Sequence, residues 1–303
     1  MVFLKLIRYK NLFMVLLTMI FTKYVLIDSI VTHYFLTNLQ FCILSTSVVF
    51  ITMGGYIIND FFDIDTDVIN KPHKVIIGRY ISLKSAKYLY TVISLIGLFL
   101  GLYVSITSNM PHLFWIYLFC ILSLFLYSSY FKTKFLLGNM TISILCSLTI
   151  ILTYLFNSKQ VIKDTYDEIL LYNLIVGYSF FAFLTTFIRE LIKDIEDVDG
   201  DLVIKAKTLP ILVGRKRASR ITFFFSCILL VYLLFVLQSF KYQAMFLVYG
   251  IIFILFPLVY FMYKLWFSEH KKDFSKLSSV IKIIMLFGIF SMILFKIKTL
   301  YTQ

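Results

Sequence analysis

Nine apolar stretches, each long enough to cross about 30 Å of hydrocarbon as a helix, recur along the 303 residues of this chain. They fall near 12–32, 39–58, 86–107, 112–131, 138–156, 169–188, 220–238, 243–264 and 279–298. Inside a bilayer each backbone N–H and C=O must be satisfied by protein, and an uninterrupted apolar run achieves this as a helix. The expected fold is all-α, a polytopic membrane bundle of nine transmembrane helices forming one domain over 1–303. Only 15% of the residues are charged, against about a quarter in soluble domains. The basic start, Lys5, Arg8 and Lys10, precedes no small-residue cleavage site, so the first run is expected to remain as a helix.

Loop charge tests the helix count independently. With the N-terminus and the loops after even-numbered spans on one side, that side carries twenty-two Lys and Arg residues. The other side carries five: Lys159, Lys163, Lys241, Lys296 and Lys298. A miscounted helix would scramble this asymmetry, and the positive-inside rule puts the basic side in the cytoplasm. The formal net charge of +13 is thereby explained by basic loops beside anionic headgroups. No nucleic-acid module is visible. Cys42, Cys120, Cys146 and Cys227 stand singly in apolar runs, without metal-binding spacing.

Two acidic segments interrupt this pattern. Asp60, Asp63 and Asp67 follow the second span with offsets of 3 and 7, and Asp194, Asp197 and Asp201 repeat those offsets after the sixth. At about 100° per residue each set forms one carboxylate stripe if the helix continues. Asp65 and Asp199, both at the fifth position, point elsewhere. Pro72 and Gly78 follow the first set, as Pro210 and Gly214 follow the second. Four spans separate the sets, which implies a parallel internal repeat of spans 1–4 and 5–8 with the ninth appended. Like charges stacked this way repel unless a hard cation joins them. Carboxylate oxygens suit magnesium, which also bridges to phosphate.

Asn59-Asp60-x-x-Asp63-x-x-x-Asp67 paired with Asp194-x-x-Asp197-x-x-x-Asp201 resembles the UbiA superfamily of intramembrane prenyltransferases. The resemblance implies a helical bundle with a polar cavity near the cytoplasmic face, in which Mg2+ holds a polyprenyl diphosphate. It makes Asn59, Asp60, Asp63, Asp67, Asp194, Asp197 and Asp201 the expected metal site, with Asp63, Asp67, Asp197, Asp201 and Tyr127 catalytic. Lys74 takes the place of the family's usual arginine in Asn70-Lys71-Pro72-His73-Lys74. Lys132 or Lys134 is the expected diphosphate-binding base, Lys74 and Arg79 add positive charge, and Lys193 is a further expected substrate-binding residue. Arg8 and Asn11 are expected at the acceptor, with a topological anchor the equal reading of Arg8.

The run Arg189-Glu190-x-x-Lys193-Asp194, then Thr208-Leu209-Pro210, is most similar to the ether-lipid branch. That branch transfers geranylgeranyl from its diphosphate to geranylgeranylglyceryl phosphate, in the membrane and among its lipids. An aromatic acceptor, as in quinone or chlorophyll prenyltransferases, is the alternative. A cation-coupled transporter is the rival class, although such proteins carry their charges at mid-membrane. The expected location is the cell membrane, with the N-terminus and active site facing the cytoplasm.

Overall fold

Side-chain caps set where two of the long helices begin. Thr37 starts one helix with a capping box, accepting from Gln40 N–H while the Gln40 side chain accepts from Thr37 N–H. Ser82 starts the next by accepting from Ser85 N–H at 3.1 Å. The computed structural model describes residues 2–30, 36–157 and 166–301. Lys159, Lys163 and the end of the first expected span lie outside the described residues, as do the side chains of Lys74 and Lys298.

Among the described residues nine helices are long and apolar enough to cross a membrane. They are α1 (Tyr9–Ile30), α2 (Asn38–Phe62), α3 (Leu83–Thr107), α4 (Pro111–Ser129), α5 (Leu137–Asn157), α6 (Asp167–Val203), α7 (Arg215–Ser239), α8 (Ala244–Trp266) and α9 (Lys271–Ile297). The all-helical bundle expected from the apolar runs is the observed fold. Two helices overrun their expected ends near 58 and 188. A hydropathy window stops at the first charges, whereas backbone hydrogen bonding continues wherever the carboxylates find partners. At about 1.5 Å per residue, the 37 residues of α6 far exceed the hydrocarbon thickness, and its C-terminal turns project beyond it.

That overrun positions the site. Within the bundle α6 packs against α5, α7 and α9, and its projecting end meets a short helix, Ile64–Asn70, that follows α2. Helix α1 closes the ring against α2, α5 and α9. One apolar core joins α6 to α9 through Ile188, Leu191, Leu258, Phe261 and Ile281, and another joins α1 to α5 through Met19, Leu44, Tyr117 and Phe156. Helices α2 and α3 come close because position 97 has no side chain. A Cβ there would stand 3.1 Å from the Ile51 backbone nitrogen, and Ser47 Oγ donates to Gly97 O at 2.6 Å. Phe13, Phe99, Trp115 and Phe235 face outward, as a lipid-facing surface allows.

Two helices widen into π-turns. In α8 the segment Gly250–Leu255 is π-helical, just ahead of Pro257, whose ring would crowd the carbonyl four residues back in a regular helix. In α1 the segment Phe21–Ile27 carries Lys23, which is 1% exposed. Its ammonium donates to Asn157 Oδ1 at 3.1 Å and faces Asp28 Oδ1 at 3.5 Å. This cation within the span is therefore bonded to its neighbours.

Candidate active site

The first aspartate motif bends. Helix α2 ends at Phe62, and Asp63 adopts φ −91°, ψ 4° before the helix Ile64–Asn70 resumes. Hydrogen bonds Asp63 N–H to Asn59 O and Asp67 N–H to Asp63 O carry across the bend at 2.9 and 2.8 Å. Lys71, preceding Pro72, leaves helical geometry with φ −147°, ψ 58°. The second motif does not bend: Asp194, Asp197 and Asp201 all lie within unbroken α6.

Each motif carboxylate with a resolved partner is held by a different group. Asp63 Oδ2 accepts from Asn59 Nδ2 at 2.6 Å and from the Lys132 ammonium. Asp60 Oδ1 pairs with the Arg8 guanidinium at 2.6 Å, and Asp197 Oδ2 with Lys71 Nζ at 2.5 Å. Asp194 Oδ2 accepts from Asn139 Nδ2 at 2.8 Å. Burial, then the charge of Asp63, pushes the Asp67 carboxyl above its ordinary range. Burial alone would lower the Lys132 ammonium, yet Asp63, Tyr127 and Asp201 outweigh it and hold the proton more tightly than usual. Lys132 thus feels a carboxylate from each motif and is bonded to that of the first.

Of the two candidate lysines, Lys132 is at the site and Lys134 is not: its ammonium lies 4.3 Å over the Tyr130 ring. The exposed Arg79 donates to Pro72 O at 2.9 Å, so it braces its own loop. The Lys74 side chain lies outside the described residues. Asp65 and Asp199 are exposed as expected, Asp199 facing Arg215 at 2.7 Å.

Asn70 was passed over as a site residue, although it stands in the Asn-x-Pro stretch quoted above. Its Nδ2 donates to Asp197 O, and its Oδ1 accepts from Gly200 N–H, both at 2.9 Å. This two-way bridge needs Gly200, since a Cβ there would overlap Asn70 and come 2.8 Å from Thr66 O. Asn139 and Lys71 were missed likewise, because nothing in spacing announces which amide or ammonium will reach a carboxylate.

Behind the aspartates a cavity of about 250 Å³ opens between α1, α2, α4, α5, α6 and α9. Its polar end presents Arg8, Asn11, Asn59, Tyr127, Arg189, Glu190 and Lys193, and the rest of its lining is largely apolar and aromatic, including Tyr117, Leu152 and Met292. Arg8 has a left-handed backbone, φ 51°, and its guanidinium lies 5.0 Å over the Tyr56 ring. Such strain at a non-glycine position marks a side chain held in place by its surroundings. Glu190, 6% exposed, accepts on Oε1 from both Arg189 and Lys193. It was not expected as a site residue.

Residues 12–289 match the UbiA prenyltransferase family. The chain belongs to that family. Among curated proteins it is 34% identical over 194 residues to the digeranylgeranylglyceryl phosphate synthase of Methanosphaera stadtmanae, a match covering 64% of each chain. The namesake from Sulfurisphaera tokodaii is 34% identical over 207 residues, 67% of each. The chain thus matches slightly under two thirds of the first relative's length. Among solved structures, one concerning digeranylgeranylglyceryl phosphate synthase in membranes superposes with TM-score 0.70 at 25% identity, covering 98% of both chains. A UbiA homolog from Archaeoglobus fulgidus bound to GPP and Mg2+ shares the fold, with TM-score 0.64 and 13% identity, covering 97% of this chain and 99% of that one.

For this UbiA family member the fit of a divalent cation can be tested on the residues themselves. The donors are carboxylates, the class magnesium prefers, and Asp197 Oδ1 is buried without a hydrogen-bond partner. Among the described residues no three His, Cys, Asp or Glu side chains are gathered closely enough to hold a metal ion. Lys71 and Lys132 instead supply the positive charge beside the carboxylates. The donor chemistry and the orphaned oxygen suit a hard cation, while the carboxylates here are held apart by their lysine and amide partners.

Proposed function

We propose that this protein transfers a geranylgeranyl group from its diphosphate to geranylgeranylglyceryl phosphate, forming the second ether bond of a glycerol lipid. The observation that carries this reading is the Lys132 ammonium, bonded to Asp63 of the first motif beside a cavity that runs from polar to apolar. Asp63, Asp67, Asp197 and Asp201, with Asn59, Asp60 and Asp194, would hold Mg2+, which supplies charge neutralisation for a diphosphate leaving group. Lys132 adds a fixed ammonium to the same task, aimed where charge develops as the allylic C–O bond breaks and its electron pair goes to diphosphate. The Tyr127 ring lines the cavity beside this point and faces the allylic cation. The acceptor hydroxyl then forms the new C–O bond and releases its proton to solvent. Arg8, Asn11 and Lys193 orient the acceptor, and the apolar end of the cavity receives the prenyl tail.

In this reading helices α1–α4 and α5–α8 are copies of one plan within a single domain, and each contributes one motif. The basic face, which carries both motifs, lies in the cytoplasm by the positive-inside rule.

Membranes containing the protein, incubated with labelled geranylgeranyl diphosphate, magnesium and geranylgeranylglyceryl phosphate, should yield the diether phosphate, identified by mass. A product formed only on an aromatic acceptor would overturn the assignment. Ion flux in proteoliposomes without any prenyl donor would point to a transporter instead.

A further inference from the structure

A second cleft, of about 430 Å³, opens where α7 begins, α8 ends and α9 begins. Arg215, Lys216 and Arg220, from the first turns of α7, line one side, and Trp266, Phe267 and Glu269, from the end of α8 and the loop after it, line the other. None of its residues lines the cavity behind the aspartates. Ser219 Oγ donates to Leu265 O at 3.1 Å, which ties the two sides together. Phe223, one turn beyond Arg220, meets the Trp266 ring edge-on at 5.1 Å, so an aromatic pair adjoins the charges.

The cations of this cleft are only partly answered by protein. Arg215 Nη2 donates to Asp199 Oδ1 at 2.7 Å, yet its Nε is buried without a hydrogen-bond partner. Lys216, Arg220 and Glu269 form no salt bridge among the described residues. With Arg215 paired, two cations face one anion, and one positive charge is left over. Trp266 and Phe267 are 57% and 66% exposed at the end of a membrane-length helix, the level at which aromatic rings sit among lipid headgroups.

We propose that this cleft binds the headgroup phosphate of an anionic membrane lipid. Arg220, Lys216 and the spare donor of Arg215 take the phosphate oxygens, and Phe223 and Trp266 lie along the first carbons of the acyl chains. The fork of Arg220 suits paired phosphate oxygens, and basic pockets between membrane helices hold such headgroups. A free anion has no apolar part to set against the two rings, whereas a lipid presents phosphate and hydrocarbon together. The site does not rest on the prenyl-transfer reading above.

Trp266 can report its own occupancy, because the chain has two tryptophans and Trp115→Phe leaves it alone. The full-length Trp115→Phe protein in detergent is titrated with phosphatidylglycerol or phosphatidylcholine, each brominated on its acyl chains near the glycerol, and quenching of the indole emission is followed. Phosphatidylglycerol should half-saturate the quenching at an about tenfold lower mole fraction, the effect of one strong charge-assisted contact. In this background Arg220→Gln and Lys216→Met should each cut the preference below about threefold. Arg220→Lys should keep about half of it, separating lost charge from misfolding. Arg217→Gln, on the same turn of α7 but outside the cleft, should leave the preference within about twofold.

Equal quenching by the two lipids would overturn the site. So would an equal loss in Arg217→Gln, which would reduce the effect to the general attraction of a basic face for anionic lipid. Inorganic phosphate relieving the quenching at the same concentration as unbrominated phosphatidylglycerol would assign the cleft to a free anion and refute the lipid.

Discussion

The two aspartate motifs share one spacing and have different backbones. The first bends at Asp63 and ends in a seven-residue helix, Ile64–Asn70. The second stays straight in α6 through Asp201. The bent segment packs against the straight one, and Asn70 locks them together through Asp197 O and Gly200 N–H. Identical spacing therefore does not produce two identical half-sites. It produces one rigid wall and one segment folded onto it, and the cations bonded to their carboxylates differ as well. Lys132 comes from the loop between α4 and α5, whereas Lys71 comes from the end of the first motif itself.

The largest expected effects test whether the unlike motifs work as one site. Asp63→Ala and Asp197→Ala should each reduce product formation by at least about 10³-fold at saturating magnesium, as expected when charge at the leaving group goes uncompensated. Substantial activity in one variant alone would make the motifs unequal partners. Next comes Lys132→Met, which should lower kcat about 10²-fold and leave membrane insertion intact. A comparable loss in Lys134→Met would contradict the placement of that side chain over Tyr130.

A smaller effect concerns the contact between the motifs. Gly200→Ala forces Asn70 away and should destabilise the protein by about 1–3 kcal/mol, read as a lowered thermal midpoint in detergent, and should raise the magnesium needed for half-maximal rate. Unchanged stability would mean that the two segments are not locked as described. The smallest effect is expected at the fifth positions. Asp65→Asn and Asp199→Asn should alter rate by less than about twofold, since the exposed Asp199–Arg215 pair is worth at most about 1 kcal/mol.

Much of this was legible in the residues. The nine spans and the paired motifs followed from apolar run length and from two acidic sets with equal offsets, both local features of a chain, and the family followed from the resemblance those motifs carry. The similarity to ether-lipid synthases noted in the Arg189-to-Asp194 run accords with the names of curated relatives 34% identical to this chain. The choice between Lys132 and Lys134 was not legible. They are two residues apart in a loop, and only the packing of that loop decides which ammonium reaches Asp63. Glu190 was hidden for a related reason. An acid next to a metal motif looks like part of it, and only the course of α6 into the bundle turns it towards the cavity.

By itself, then, the sequence determined nine apolar runs long enough to cross a membrane and two acidic motifs of equal spacing at the ends of two of them, because burial in lipid and charge spacing act along the chain. Only the tertiary structure decided that the first motif bends while the second stays straight, that Asn70 joins them through Gly200, and that Arg189 and Lys193 share Glu190 at the polar end of the cavity. The Asn70 bridge joins groups more than a hundred residues apart in the chain, and for all three outcomes hydrogen-bond geometry and available space select the partners.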